Sequence, residues 1–478
     1  MAIQSFSVGQ VLTSAQMSAL QLNDYNQTVS TKTANYVLVA TDAGTKIVMN
    51  SASATTITVN TSLFAAGDTL TILNIGAGVC TITAGTATVS SATSLLLVQY
   101  GGGTLYFTSA GVSVFQADSS VSTTISDTNR NVVINGAMQV AQRVTSKASI
   151  TTSGYYTADR ISTSLNALGT WTQSVENDAP TGSGFRKSLK MLCTTADASP
   201  AAGDFNLVEQ KIEGQNLQQF AKGTSSAKPF ALSFWVKSNV TGTYIAELVD
   251  ADNSRQVSFS YTVSVSGTWE KKTITFPADT TGAFDNDAEV SLTMGFWLGA
   301  GSNFTSGTLQ NTWVSQVSAN RAVGQTNLAA ATSNYWQVTG VQLEVGSVPT
   351  PFEFEDIGRT IAKCERYYTK SYNDGVAVAT NTSNGLFGAG SVGNASGLHI
   401  NQIYFKVDMR TTPTVTLWIE AGTSGYWSVF SSPQPTGYNG SAFIIGQNTK
   451  GMAVVVSDGG YAWQPGTSRG HWEASAEL

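Results

Sequence analysis

The sequence predicts an all-β protein: several β-sandwich or jelly-roll domains in series, with one short N-terminal helix and one short interdomain helix. Three observations predict it. Only 12% of its 478 residues are charged, and the polar complement is Ser, Thr, Asn, Gln and 45 glycines rather than Lys and Glu. That mix favours strands and turns over helices. Apolar residues alternate with Ser and Thr at period two, most clearly in QVSFSYTVSV, where Val257, Phe259, Tyr261, Val263 and Val265 share one face. The chain is also too long for one ordinary core, and a hydrophobic content of 41% supplies apolar surface for several.

Residues 1–30 open the chain with a helix. Thr13 and Gln16 stand in capping-box spacing, and Met17 and Leu20 supply an apolar stripe. Such a helix is too short to stand alone, so it must dock on its own copies or on a larger assembly. Thr13, Met17 and Leu20 are the candidates for that attachment. Residues 31–117 read as a small β domain. TTITVNTS puts Ile57 and Val59 on one face, and DTLTILNIGAG, VCTITAG and LLLVQYGGGTLYFTSAG follow, separated by glycine turns. No repeat of stacked coils is read anywhere in the chain. Residues 118–130 are small and polar, as a linker is. Residues 131–355 form the larger β block, in which ALSFWVKS places Leu232, Phe234 and Val236 on one face. About eight strands there suggest an antiparallel sandwich or jelly roll, with 305–333 as a polar surface excursion.

The pattern breaks at EVGSVPTPFEFEDIGRTIAKCERYYTK. Pro349 and Pro351 end the last strand, and Asp356 can cap a helix. Ile357, Ile361, Cys364 and Tyr368 then follow at spacings of four, three and four, which line one face of a helix in 356–372. That face must pack on a neighbour, either the next domain or a symmetry mate. Strands return over 373–478, an aromatic-rich C-terminal β-sandwich tip.

Several function classes are excluded or weakened. A net charge of −6 leaves no basic footprint for nucleic acid. No apolar run reaches the ~18 residues of a membrane span, and MAIQSFSVGQ lacks the basic and apolar regions of a signal peptide. The expectation is synthesis and folding in a cytosol. Cys80, Cys193 and Cys364 are odd in number and far apart, which fits buried free thiols rather than a disulfide framework or metal site. No cofactor or metal is expected. GTSRG at 466–470, beside His471, matches a nucleophile elbow by letters, but its flanks are β on both sides. GAGSVG at 388–393 leads into a strand, whereas a phosphate cradle needs a helix N-terminus. His399 and His471 are the only histidines and read as polar surface. Paired carboxylates for glycosidic cleavage could come from Glu209 and Glu213, or from Glu247, Asp250 and Asp252, but no spacing rule selects them. The chain is therefore expected not to be an enzyme. In the tip, Trp418 fits core and surface equally. Tyr426, Trp427 and Tyr438 lie in Gly- and Ser-rich stretches that favour exposure, and such rings stack on sugar C–H faces. Those three are the candidate receptor-binding residues.

NVVINGAMQVAQRVTS followed by YYTADRI resembles the opening of a module recurrent in bacteriophage tail-fibre and receptor-binding proteins. Asn131, Asn135, Gly136, Gln142, Arg143, Asp159 and Arg160 stand at the matching positions, with Ile161 where Trp is usual. VTGVQLEVGSVPTPFE resembles the closing strand of that module, and CERYYTKSY the helix that follows it. FKVDMRTTPTVTL and WEASAEL resemble the C-terminal domain and ending of the same proteins, and DAGTKIVMNSASATTITV is similar to a β module near their N-termini. The resemblance implies a virion protein of the tail appendage, commonly a homotrimer. It would attach to other tail proteins through its N-terminus and present its C-terminus to a host-surface glycan or protein. Its central sandwich would be similar to carbohydrate-binding modules. Two other classes stay open beside receptor binding: a polysaccharide depolymerase tailspike, and a passive structural or adaptor fibre.

Overall fold

The structure, a computed structural model, describes residues 9, 11, 13, 14, 27–91, 94–118, 130–392, 398–431, 434–457 and 465–478. Met17 and Leu20 of the N-terminal helix expectation, and most of the 118–130 linker, lie outside the described residues. The chain is nearly all β, and its described α-helices are Ser302–Thr305 and Ile357–Glu365. It divides into two compact units, residues 1–127 and 128–478.

The first unit corrects two expectations, because it is a short β-solenoid and not a sandwich. Strands Val29–Lys32, Lys46–Met49 and Thr69–Asn74 stack in parallel in one sheet. Tyr36–Val37, Thr55–Val59 and Cys80–Ala84 stack in parallel in a second. Each coil thus gives one strand to each sheet. Ile47, Met49, Ile57, Val59, Leu70, Ile72, Cys80 and Ile82 point inward and are fully or almost fully buried. Outward threonines stack in turn: Thr58 Oγ1 and Thr83 Oγ1, 25 residues apart in the chain, lie 3.2 Å from each other. Thr61 and Thr86 repeat the contact at 3.1 Å. The coils approach so closely that a Cβ on Gly78 would lie 2.1 Å from the Ser53 carbonyl oxygen. The strand Gly102–Ser109 pairs antiparallel with Thr69–Asn74 and ends the stack.

The second unit begins with two antiparallel sheets. One has six strands, in the order Ser146–Ile150, Thr170–Glu176, Ser188–Thr195, Tyr335–Val345, Phe230–Ser238 and Glu270–Phe276. The other has seven: Gly154–Tyr155, Ser162–Asn166, Phe205–Glu213, Val290–Ala300, Gly242–Asp250, Arg255–Val263 and Val314–Ser315. One core joins them, in which Trp171, Met191, Leu232, Phe234, Val236 and Trp336 meet Tyr244, Leu248, Val257, Tyr261 and Phe296. The Phe234 and Phe296 rings lie 4.8 Å apart, edge to face, a favoured aromatic geometry. Val257, Tyr261 and Val263 are buried as their alternation predicts, while Val265 lies beyond the strand end and is exposed.

The expected polar excursion is a packed cover rather than a surface loop. Over the seven-stranded sheet, Arg321 grips Glu247 through Nε at 3.1 Å and Nη2 at 2.5 Å. Gln325 accepts the Ile245 N–H at 2.8 Å, and the Gln310 carbonyl accepts that of Ser258 at 2.7 Å.

The interdomain helix is Ile357–Glu365, and Asp356 caps it by accepting the Gly358 N–H at 2.9 Å. Its expected stripe is only partly kept. Cys364 is buried and Ile361 half-buried, whereas Ile357 is 50% exposed. Tyr368 is buried, but in the strand Tyr368–Lys370 that follows the helix. The chain then forms one eight-stranded sheet, not a second sandwich. Its spine is the long strand Pro465–Ser475, which pairs with Tyr368–Lys370 and Thr414–Trp418 along one half and with Phe387–Val392 and Tyr426–Ser431 along the other. The sheet gathers around Trp427, Val429, Met452, Val454, Val456 and Trp472. All three cysteines are free and buried.

Candidate functional site

Of the three proposed receptor-binding rings, Trp427 is corrected outright. It is 0% exposed and donates its indole N–H to the His471 carbonyl at 3.2 Å. The strand Tyr426–Ser431 turns Trp427 and Val429 inward, leaving Tyr426 40% exposed. The Tyr438 side chain lies outside the described residues, as does that of His399. His471 is not surface either. It is fully buried, stacked on Tyr372 at 3.8 Å, with Nδ1 3.0 Å from Ser371 Oγ and Nε2 2.9 Å from the Thr382 carbonyl. The GTSRG letters sit inside the strand Pro465–Ser475 and form no elbow.

The carboxylates put forward for hydrolysis are occupied. Arg366 holds Glu213 through two bonds of 2.9 and 2.8 Å, and the Tyr367 hydroxyl adds a third. Burial pushes Glu213 up, but those bonds outweigh it and hold its carboxyl below the usual range. Glu247 is gripped by Arg321, Asp250 lies 2.5 Å from Lys222 Nζ, and Asp252 accepts the Asp285 N–H at 2.9 Å. Glu209 takes the Ser164 hydroxyl at 2.6 Å, and burial raises its carboxyl.

The residues that carry the tail-fibre resemblance turn out to be joinery. Asn131 donates to the Val341 carbonyl and accepts the N–H groups of Val133 and Leu343, each at 3.0 Å, which ties the opening segment to the closing strand. A Cβ on Gly136 would lie 2.0 Å from the Val341 oxygen. Asn135 bonds the carbonyls of Val140 and Asp159. Asp159 accepts the Gln142 backbone N–H at 3.0 Å and its side-chain amide at 2.6 Å. Burial pushes its carboxyl up to about 6 against the pull of Arg143. Arg160, 1% exposed, lies 3.5 Å over the Tyr367 ring, donates to the Lys211 carbonyl at 2.7 Å and pairs with Glu477. Arg143 lies 3.7 Å over the Tyr368 ring and reaches Glu477 at 3.2 Å. Ile161, in the usual Trp position, is 3% exposed and part of the core.

The outward face of the six-stranded sheet is built differently. Cross-strand partners point the same way, so register defines rows. One row runs Ser146, Ser174, Lys190, Gln337, Lys237. The next pairs Thr339 with Trp235 and Trp235 with Lys271. On the other side, Tyr335 pairs with Leu192. Trp269 extends the first row past Lys237, whose Nζ lies 5.8 Å from its ring centre. Lys190 Nζ lies 4.9 Å over the Tyr335 ring. Asp178 ties this surface together, taking Lys237 Nζ at 2.7 Å, the Trp269 indole N–H at 3.2 Å and the Gln337 amide at 3.2 Å. Trp235, Trp269 and Tyr335 are each half-buried. Rings in this state offer one apolar face to a ligand while their edges are held. Their signal in the sequence is parity: Trp235 and Tyr335 occupy the polar parity of strands whose other parity, Phe234 and Trp336, is core.

A separate cleft of about 260 Å³ lies between residues 131–139 and 352–363. Its rings Phe352 and Phe354 cluster with Phe185 at 4.8 and 5.1 Å. Much of its polar lining serves the structure itself: Glu355 takes Lys363 at 2.6 Å and the Thr360 hydroxyl at 3.1 Å.

No protein-family model matches the sequence, and no curated protein matches it. Among solved structures, one similar chain is the enzymatically active domain of tailspike protein 4 from bacteriophage CBA120. It is 14% identical over 67% of this chain, with a TM-score of 0.26, and only 38% of its own length is covered. Another is a family 11 carbohydrate-binding module from Clostridium thermocellum in complex with a β-1,3-1,4-mixed-linked tetrasaccharide. It is 10% identical, covers 43% of this chain and 99% of its own, and has a TM-score of 0.23. TmCBM61 in complex with β-1,4-galactotriose is likewise 10% identical over 45% of this chain and 99% of its own, at 0.23.

Proposed function

We propose that this chain is a virion protein of a bacteriophage tail that binds a host-surface glycan, without cleaving it, through the outward face of the six-stranded sheet. In this reading the two sheets are a jelly-roll sandwich, and the protein works as a homo-oligomer, a trimer by resemblance, attached to other tail proteins. The observation that carries the glycan is the placement of Trp235, Trp269 and Tyr335 among Lys190, Lys237 and Asp178, above a buried Gln337 that bonds Asp178 and Ser188. Sugar rings present C–H faces to aromatic rings and hydroxyls to amides, ammoniums and carboxylates. The low charge and the sequence resemblance support the setting.

The test is binding of purified protein to host surface polysaccharide, by affinity electrophoresis, for wild type and Trp235→Ala with Trp269→Ala. Stacking is worth about 0.5–1.5 kcal/mol per ring, so the double variant should bind roughly 5- to 150-fold more weakly while keeping its circular dichroism spectrum. Unchanged affinity in the folded variant would refute the site. One observation favours hydrolysis instead: Glu209 and Glu247 both pair with Gly295, so a protonatable acid and a carboxylate share one row. Both lie under the 301–331 cover. Reducing ends released from the polysaccharide, and lost in Glu209→Gln, would favour that reading.

A further inference from the structure

Lys222 and Asp250 meet in a buried cluster that the glycan reading does not use. Lys222 lies in the connection between Phe205–Glu213 and Phe230–Ser238, and Asp250 ends the strand Gly242–Asp250. Both side chains are 0% exposed, and Lys222 Nζ sits 2.5 Å from Asp250 Oδ2. A second carboxylate, Asp279, lies 3.1 Å from the same Nζ and is itself almost fully buried. The rings of Phe284 and Trp313 flank Nζ, each at 5.1 Å. Asn253 donates its backbone N–H to Asp250 Oδ1 at 3.0 Å and its side-chain amide to Oδ2 at 3.1 Å. Arg255 holds Asp279 through bonds of 2.7 and 3.0 Å. Gly223 and Gly282, both at positive φ, let the loops close on the cluster, since a Cβ on Gly282 would lie 2.6 Å from Asn253.

Lys222 Nζ also donates to the carbonyls of Thr281 at 3.1 Å and Gly282 at 2.7 Å, which fix its position against both carboxyls. An amine, a carboxyl, a third group in contact with the amine, and N–H donors on the carboxyl oxygens are the parts of an acyl transfer. We propose that Lys222 Nζ condenses with the Asp250 side-chain carboxyl to form an intramolecular isopeptide bond. The ammonium first passes one proton through Asp279 to an Asp250 oxygen. The resulting amine attacks Cγ, and the Asn253 N–H groups hold the oxyanion of the tetrahedral intermediate. Asp279 then carries a second proton from nitrogen to the departing hydroxyl. The C–O bond breaks, one water leaves, and one N–H remains on the amide. Three protons start on nitrogen; one ends on the amide and two on the water, so no oxidant, cofactor or external acid is required. The bond would cross-link positions 28 residues apart, fastening the 214–229 connection to the seven-stranded sheet.

The test is the intact mass of the purified full chain under denaturing conditions. The mass should fall short of the sequence mass by one water, and digestion should yield a branched peptide joining Lys222 to Asp250. Lys222→Arg keeps the cation but cannot form the bond, so its mass should be that of its sequence. Asp279→Asn should lower the cross-linked fraction of soluble protein at least tenfold. A wild-type chain at full sequence mass after prolonged incubation overturns the proposal. So does a water deficit that survives in Lys222→Arg, because the loss would then arise elsewhere.

Discussion

The two units of this chain solve the same problem, a β protein with few charges, in opposite ways. The solenoid of the first unit stacks like on like: isoleucine over isoleucine inside, threonine over threonine outside. Its contacts are local, between neighbouring coils. The second unit concentrates charge where elements distant in sequence must be joined. Arg160 and Arg143 meet Glu477, and Arg366 meets Glu213, with partners more than 150 residues apart in the chain. A hydrogen bond between threonines is tolerant of small shifts. A buried ion pair is not, because removing one partner strands the other in low dielectric. The ladder is therefore a means of repetition and the ion pairs a means of fixing one arrangement between the two-sheet region and the eight-stranded sheet.

The largest expected effect follows from that asymmetry. Glu477→Ala leaves the guanidiniums of Arg160 and Arg143 without their shared carboxylate, and breaking a buried pair costs about 3–5 kcal/mol. Hydrogen exchange read peptide by peptide should show the loss in the strands Tyr368–Lys370 and Pro465–Ser475, with protection of the solenoid strands unchanged. Equal loss in both units would mean that the joint is not a local device.

Asp159 gives the joint a pH signature that the ladder lacks. Its carboxyl, raised by burial to about 6, binds more protons folded than unfolded between its ordinary value and that point. The contribution is therefore fully present below pH ~4 and lost as pH rises through 6. His471, lowered by burial, acts oppositely over part of this range, so the sound measurement is a difference. The stability of wild type minus that of Asp159→Asn should fall between pH 4 and 6 by on the order of 2 kcal/mol and stay flat above. A difference constant with pH would show that Arg143 and Gln142 keep Asp159 ionised throughout.

What the sequence made legible, and what it hid, follows the same division. Period two in Val257, Tyr261 and Val263 was plain because one face of that strand is apolar and the other carries Gln256, Ser258, Ser260 and Thr262, although only the last two are exposed. Asp356 announced its helix because capping is local. The solenoid was hidden although its repeat is written in the chain as TTITVNT and CTITAGT. Two copies are few, and threonine alternating with isoleucine looks the same in a parallel coil and an antiparallel hairpin. Trp427 was misjudged from its Gly- and Ser-rich neighbours. A distant glycine makes room for its burial, since a Cβ on Gly470, in the strand Pro465–Ser475, would lie 2.2 Å from its ring. The clasp of Glu213 by Arg366 and Tyr367 leaves no mark on either segment, because its partners are assembled only by the tertiary fold.

The smallest expected effect tests whether the ladder is cooperative or decorative. Thr58 and Thr83 bond each other at 3.2 Å, and Thr83 also reaches the Ile57 carbonyl at 3.3 Å. Valine has nearly the same shape and no hydroxyl. Thr83→Val alone strands the Thr58 hydroxyl in a half-buried position, whereas Thr58→Val leaves that of Thr83 its bond to the Ile57 carbonyl. Replacing both removes donor and acceptor together, which can be almost neutral. The double-mutant cycle should therefore return a coupling of about 0.2–1 kcal/mol, the range of cross-strand threonine pairs. Because no charge is involved, that coupling should be the same at low and high salt, whereas screening weakens the interactions of exposed charges. A coupling of zero would assign the stability of the first unit to its isoleucine stack alone, and the outward threonines would then serve only to keep its surface wet.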